Sequence, residues 1–174
     1  MTLKYCKTRK VKSPLRAHPF DAGIDLYVPE DLTYDVMKEK LAVVKEDIEV
    51  EYDGKFIKSM KLQPGQSILI PTGLHVKVPE GYALILFNKS GVASKKHLHV
   101  GACVIDQNYE GECHINLTNV GNETMSIEAG EKITQGLIIP INYAITEEID
   151  TIENLYAGSD HDRGAGGFGS SGTK

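Results

Sequence analysis

The chain has no tryptophan, only three cysteines and 7% aromatic residues in a length of 174. So sparse and odd a cysteine set excludes a disulfide-built scaffold and suits a reducing compartment. Cys6, Cys103 and Cys113 lack the C-x2-C spacing of a metal knuckle. Cys103 and Cys113 flank a turn and are placed to face each other, and all three are read as buried or unreactive thiols. No apolar run approaches the ~20 residues that span a bilayer. The N-terminal stretch MTLKYCKTRKVK is basic but has no apolar stretch of the signal-peptide kind. An excess of positive charge is also missing: 19 Lys and Arg stand against 24 Asp and Glu, a net charge of −5. That balance argues against bulk nucleic-acid binding, and the reading is of no direct nucleic-acid or membrane partner. It leaves room for a small anionic substrate, because local donors and a metal outweigh a global field. There is no βαβ alternation, so a doubly wound parallel sheet is excluded, and no internal repeat. What remains is 41% hydrophobic and 25% charged, one soluble domain large enough to bury a core, expected in the cytoplasm (of a host cell if the source is viral).

Short apolar or β-branched runs fill most of the length. Leu69–Ile70 with Leu74–Val78, Tyr82–Phe87, Val100–Ile105, Cys113–Thr118 and Gly136–Pro140 read as strands. Between them lie turn signals at Pro64-Gly65, Pro79-Glu80-Gly81, Glu110-Gly111, Gly121-Asn122 and Ala129-Gly130. Even spacing of this kind predicts an all-β sandwich, jelly roll or barrel. Residues 34–47 differ: Val36, Met37, Leu41 and Val44 fall at helical spacing. Two alternating runs follow, joined by Asp53-Gly54, a strong hairpin signal. This segment reads as a helix plus a hairpin of its own. From about residue 143 the strand rhythm fades into an arm.

Five segments carry chemistry. In Asp21-Ala22-Gly23-Ile24-Asp25-Leu26 an acid, Asp25, sits among apolar residues. Buried, it needs a partner such as a metal-bound water or an arginine; exposed, it is a turn acid. Asn88-Lys89-Ser90-Gly91 ends a strand with amides, a hydroxyl and a positive charge, suited to phosphate, though it lacks P-loop spacing. Gly101–Gly111 encloses Asp106, a candidate general base for water, and Tyr109, a candidate pocket wall; its plain alternative is a hairpin turn. Gln135, a polar amide in an apolar strand, either bonds a ligand or faces outward. The tail RGAGGFGSSGTK holds five glycines around Arg163, Phe168, Ser170 and Ser171. By composition it is a flexible linker, yet it has a phosphate fork, donors and a stacking face.

Singly these signals are weak; their order is not. Asp-Ala-Gly-x-Asp, x-Lys-Ser-Gly, Gly-x3-Ile-Asp-x2-Tyr-x-Gly, Gly-x4-Gln-Gly and Arg-Gly-x-Gly-Gly-Phe-Gly-Ser-Ser-Gly, in sequence, closely resemble the five motifs of the trimeric dUTP diphosphatases (dUTPases). The resemblance covers the chain except for about residues 33–60, an apparent insertion. It implies an all-β jelly-roll-like barrel over residues 1–174, with a small helix-plus-hairpin insertion and a flexible C-terminal arm over about 143–174. It also implies a homotrimer with shared active sites, and hydrolysis of dUTP to dUMP and pyrophosphate with Mg2+, which keeps uracil out of DNA and supplies dUMP for dTMP synthesis.

By the same resemblance Asp106 would activate the water that attacks the α-phosphorus. Tyr109 would pack under the deoxyribose and leave no room for a 2′-hydroxyl. The backbone around Ala102, Cys103 and Val104 would read uracil. Lys89, Ser90, Gly91 and Gln135 would hold phosphates. Arg163 would clamp the γ-phosphate, Phe168 would stack on uracil, and Gly169, Ser170, Ser171 and Gly172 would close on the nucleotide. Mg2+ would be held by the triphosphate and waters without a direct protein ligand, Asp25 lying in its outer shell. The tail would order on the nucleotide.

Asn88-Lys89 replaces the family's Pro-Arg, which keeps the charge but loses the bidentate fork, and Cys103 stands where glycine is common. The insertion is read as a surface elaboration, with a spacer or a protein-partner surface as alternatives. Two rival functions fit the residues less well. A dCTP deaminase needs a glutamate where Asn116 stands in His114-Ile115-Asn116-Leu117-Thr118-Asn119, and asparagine cannot shuttle protons. A regulatory nucleotide binder without turnover is at odds with the presence of Asp106, Tyr109, Gln135 and Arg163.

Overall fold

The computed structural model describes residues 1–45 and 47–158. Short strands dominate. In chain order they are β1 (Lys4–Lys7), β2 (Ile24–Tyr27), helix α1 (Tyr34–Val44), β3 (Glu49–Asp53), β4 (Phe56–Leu62), β5 (Ser67–Pro71), β6 (Leu74–Lys77) and β7 (Tyr82–Asn88). Then come helix α2 (Ser90–Lys95), β8 (Leu98–Val100), β9 (Val104–Ile105), β10 (His114–Asn119), β11 (Met125–Glu128), β12 (Lys132–Pro140) and helix α3 (Ile152–Leu155). The chain forms two units, Met1–Asn142 and one beginning at Tyr143.

In the first unit the strands form four sheets, ordered β1-β6, β5-β10-β8, β11-β4-β3 and β2-β12-β7-β9, with antiparallel pairing throughout. β10 shows the cause most plainly: Ile115, Leu117 and Asn119 alternate inward while His114, Asn116 and Thr118 are half-buried. Asn119 is fully buried but satisfied, donating to the carbonyls of Leu62 and Glu123 and accepting from the Gly121 amide. The core joins Leu32, Met60, Leu62, Ile68, Ile70, Leu74, Ile115 and Ile127.

The expected helix over 34–47 ends earlier, at Val44, where Lys45 turns left-handed and its amide caps Leu41. Asp53 and Phe56 close a two-residue hairpin across Gly54-Lys55, as the turn chemistry predicts. The hairpin is not an element of its own, however. β4 also pairs with β11 and buries Ile57, Ser59, Met60 and Leu62, while Met37 of α1 is sealed in the same core. Val100–Ile105, expected as one strand, is two. β8 pairs with β10, and β9 crosses to β7 in another sheet. Cys6, Cys103 and Cys113 are all free, and Cys6 lies exposed on β1 rather than buried. Burial pushes the Cys113 thiol up to about 11, so it stays protonated near neutrality.

The second unit carries α3, whose first turn is capped by Thr151 Oγ1 accepting from the Asn154 amide at 3.1 Å. No helix among the described residues is long and apolar enough to cross a membrane.

Candidate active site

The break between β8 and β9 builds a cleft. Gly101 sits where any Cβ would collide with the Asn116 side chain, so Asn116 can reach under the loop. Its Oδ1 accepts from the Ala102 amide at 3.1 Å, and its Nδ2 donates to the Ile68 carbonyl at 3.1 Å. The Leu86 amide donates to the Cys103 carbonyl at 2.8 Å from the other side. Residues 101–103 are thereby pinned between two sheets. The Ala102 N–H is already committed and is not among the donors free to read a base.

Beyond β9 the chain turns sharply at Asp106, closed by the Tyr109 amide donating to the Asp106 carbonyl at 3.1 Å. Gly111 lets the Tyr109 ring fold back, since a Cβ there would strike its hydroxyl end. The Tyr109 hydroxyl then donates to the Glu112 carbonyl at 3.0 Å. The result is a cleft of about 250 Å3 walled by Ala102, Cys103, Val104, Asp106 and Tyr109, with Leu69, Leu86 and His114 behind them. The Asp106 side chain is exposed.

His114 also lines the cleft, a placement that no motif in the sequence signals. Its Nδ1 lies 2.8 Å from the Glu112 carbonyl, while Nε2 is buried without a partner. Burial, aided by the charge of Lys40, holds its pKa below the ordinary histidine value, so the ring is neutral at pH 7. Only its position in the strand after the Tyr109 turn hinted at it.

A second group lies where β2, β12 and β7 meet. Gln135 is in register with Asp25 on one side and Phe87 on the other. Its Nε2 donates to the Asn88 carbonyl at 2.9 Å. Asp25 is 3% exposed. One carboxylate oxygen takes the Lys89 ammonium, and the other takes Lys132 Nζ at 2.9 Å. Burial alone would raise this carboxyl, but hydrogen bonds from Lys89 and Lys132 outweigh it and hold the pKa below the ordinary aspartate value. Lys89 therefore leads into α2 with its charge engaged. Ser90 and Gly91, expected as a turn, form the first residues of that short helix.

The cleft therefore brings together Ala102, Cys103, Val104, Asp106 and Tyr109, and its walls do not include Lys89, Ser90, Gly91 or Gln135. Arg163, Phe168, Gly169, Ser170 and Ser171 lie outside the described residues. Both oxygens of Asp25 accept ammonium hydrogen bonds, from Lys89 and Lys132. Among the described residues no group of three or more His, Cys, Asp or Glu side chains is placed to hold a metal ion.

The chain is similar to known proteins of one family. The model of a family described as dUTPase matches residues 44–172, a span that includes the β3–β4 hairpin. The deoxyuridine 5′-triphosphate nucleotidohydrolase of Hahella chejuensis is 40% identical over 116 residues, 65% of this chain and 72% of that protein. Its counterpart in Pseudomonas putida is 34% identical over 163 residues, 92% of this chain and 87% of that protein. Among solved structures, Staphylococcus bacteriophage 80alpha dUTPase with dUPNHPP aligns with a TM-score of 0.72 at 28% identity, over 98% of each chain. Native EIAV dUTPase shares the fold at a TM-score of 0.60 and 22% identity, over 86% of this chain and 97% of that one.

Proposed function

The chain belongs to the dUTPase family, and from that premise we propose how its residues carry out the reaction. It is an enzyme that hydrolyses dUTP. The products are dUMP and pyrophosphate, which removes a uracil donor from the DNA precursor pool and supplies dUMP for dTMP synthesis. One observation carries the reading: Asp106 and Tyr109 line a cleft of about 250 Å3 together with Ala102, Cys103 and Val104.

The Asp106 carboxylate accepts a proton from water. The water oxygen attacks the α-phosphorus in line, and the bond from that phosphorus to the oxygen bridging the β-phosphate breaks, releasing pyrophosphate. Tyr109 lies under the deoxyribose and excludes a 2′-hydroxyl. Backbone groups of Ala102, Cys103 and Val104 other than the committed Ala102 N–H read the uracil edge. Cytosine is rejected because its C4 substituent is a donor where uracil has an acceptor. Mg2+ carried by the triphosphate and its waters would neutralise charge on the phosphate oxygens.

Lys89, Ser90, Gly91 and Gln135 hold phosphates; they do not line the Asp106 cleft of their own chain, and a complete site takes this group from one subunit and the Asp106 cleft from another. Such sharing fits the homotrimer that the family resemblance implies. Arg163 clamps the terminal phosphate, Phe168 covers the uracil, and Gly169, Ser170 and Ser171 bind alongside. The whole chain is one jelly-roll domain whose arm begins near residue 143, working in the cytoplasm.

The test is pyrophosphate release from dUTP, dCTP, dTTP and UTP, with and without Mg2+. Strong preference for dUTP is expected. Deoxyuridine nucleotides formed from dCTP would point instead to deamination, and comparable rates on UTP would remove the role given to Tyr109.

A further inference from the structure

Hydrogen bonds converge on Glu112 from four residues, and they tie the N-terminal segment to the wall of the cleft. Its carboxylate accepts from Arg9 Nε at 2.9 Å, from Arg9 Nη2 at 3.3 Å and from the Gly73 amide at 2.6 Å. Its carbonyl accepts from the Tyr109 hydroxyl at 3.0 Å and lies 2.8 Å from His114 Nδ1. Arg9 and Glu112 are 103 positions apart, and their side chains are only 22% and 16% exposed. Burial raises the Glu112 carboxyl, but Arg9 and the Gly73 amide more than offset this and keep it ionised.

A guanidinium fork on a carboxylate fixes the plane of the acid as well as its position. Here that acid belongs to the residue whose carbonyl holds the Tyr109 hydroxyl. Tyr109 itself is 43% exposed, so packing alone holds its ring weakly. The hydroxyl bond, anchored through Glu112, supplies the missing constraint. The neighbouring Glu110 carbonyl, 2.9 Å from His75 Nδ1, steadies the same stretch of chain.

We infer that the Arg9–Glu112 pair is a positioning device for the Tyr109 ring, and that Arg9 thereby helps determine the preference for deoxyribose over ribose. The inference rests on the reading of Tyr109 proposed above. Neither residue touches the nucleotide; both act through the ring. Without Arg9, Glu112 and the turn at 109–112 loosen, and the space beside the ring admits a 2′-hydroxyl more often.

The experiment measures kcat/KM for dUTP and for UTP in wild type, Arg9→Ala, Arg9→Lys, Tyr109→Ala and Tyr109→Phe, and in Arg9→Ala combined with Tyr109→Phe, with Tm recorded for each. Arg9→Ala should lower the dUTP-to-UTP ratio about fivefold, the size of one lost hydrogen bond. Arg9→Lys should restore part of the ratio, because it keeps a charge on Glu112. In the Tyr109→Phe background, Arg9→Ala should change the ratio no further. An unchanged ratio in Arg9→Ala, with Tyr109→Ala relaxed, overturns this inference and leaves the reading of Tyr109 standing. An unchanged ratio in Tyr109→Ala overturns both. A full Arg9→Ala effect persisting in the Tyr109→Phe background also overturns it, since the pair would then act by another route. Should Arg9→Ala fail to fold, Glu112→Gln serves the same comparison: it keeps the shape, and a lowered ratio is expected, while an unchanged one counts against the inference.

Discussion

Two aspartates with similar surroundings in the sequence end in opposite circumstances. Asp25 and Asp106 each follow an isoleucine. Asp25 lies inside β2, buried, with both oxygens taken by lysines. Asp106 lies just past β9, exposed at the edge of the cleft. The difference is whether the strand continues. β2 runs on beside β12 in the same sheet and is buried along its whole length, so its acid must be neutralised where it stands. β9 stops after Ile105, and the turn lifts the next side chain out of the sheet. A carboxylate locked by two ammonium groups stabilises a fold; one at the rim of a cleft can take a proton from water.

The comparison breaks most sharply on substitution. Asp106→Asn should reduce turnover about a thousandfold while dUTP still binds, with stability changed by no more than about 0.5 kcal/mol. Pyrophosphate release, nucleotide titration and denaturant melts check the three parts. Asp25→Asn should do the reverse first: a loss of about 3 kcal/mol in stability, read by denaturant unfolding, because two lysines lose their counter-ion. Its pH dependence has a definite sign. The folded pKa lies below the ordinary aspartate value, so this contribution is complete above pH ~4 and fades as pH falls through the lower folded value. Wild type should therefore show an acid limb that Asp25→Asn flattens.

Smaller effects sharpen the same contrast. Asn116→Leu, which removes the pin beneath residues 101–103, should cost about 1 kcal/mol and speed amide exchange at Ala102. Lys61→Ala removes the surface lysine that pairs with Glu49 at 2.6 Å and Glu51 at 3.1 Å. This pair cluster has the same composition as the Asp25 group with signs reversed, but it is open to solvent, and no measurable change in Tm is expected.

How much of this was legible follows from distance along the chain. The Asp53-Gly54 hairpin could be read because its turn chemistry is local. Asp106 and Tyr109 could be read together because one turn holds both. β1 carries no strand signal because it is exposed throughout, whereas the strand around Asp25 is legible from the apolar residues that flank the acid. The break after Val100 is imposed by Asn116, a residue of another strand. Likewise Lys89 lies 64 positions from Asp25 and Arg9 lies 103 from Glu112, and no spacing rule connects them.

The central claim is that a water activated at the rim of the cleft attacks the α-phosphorus. Turnover of dUTP in water enriched in heavy oxygen, followed by mass analysis of both products, tests it most directly. The label should appear in dUMP and be absent from pyrophosphate. Label in pyrophosphate would mean attack at the β-phosphorus, and the placement of Asp106 against the α-phosphorus would be wrong.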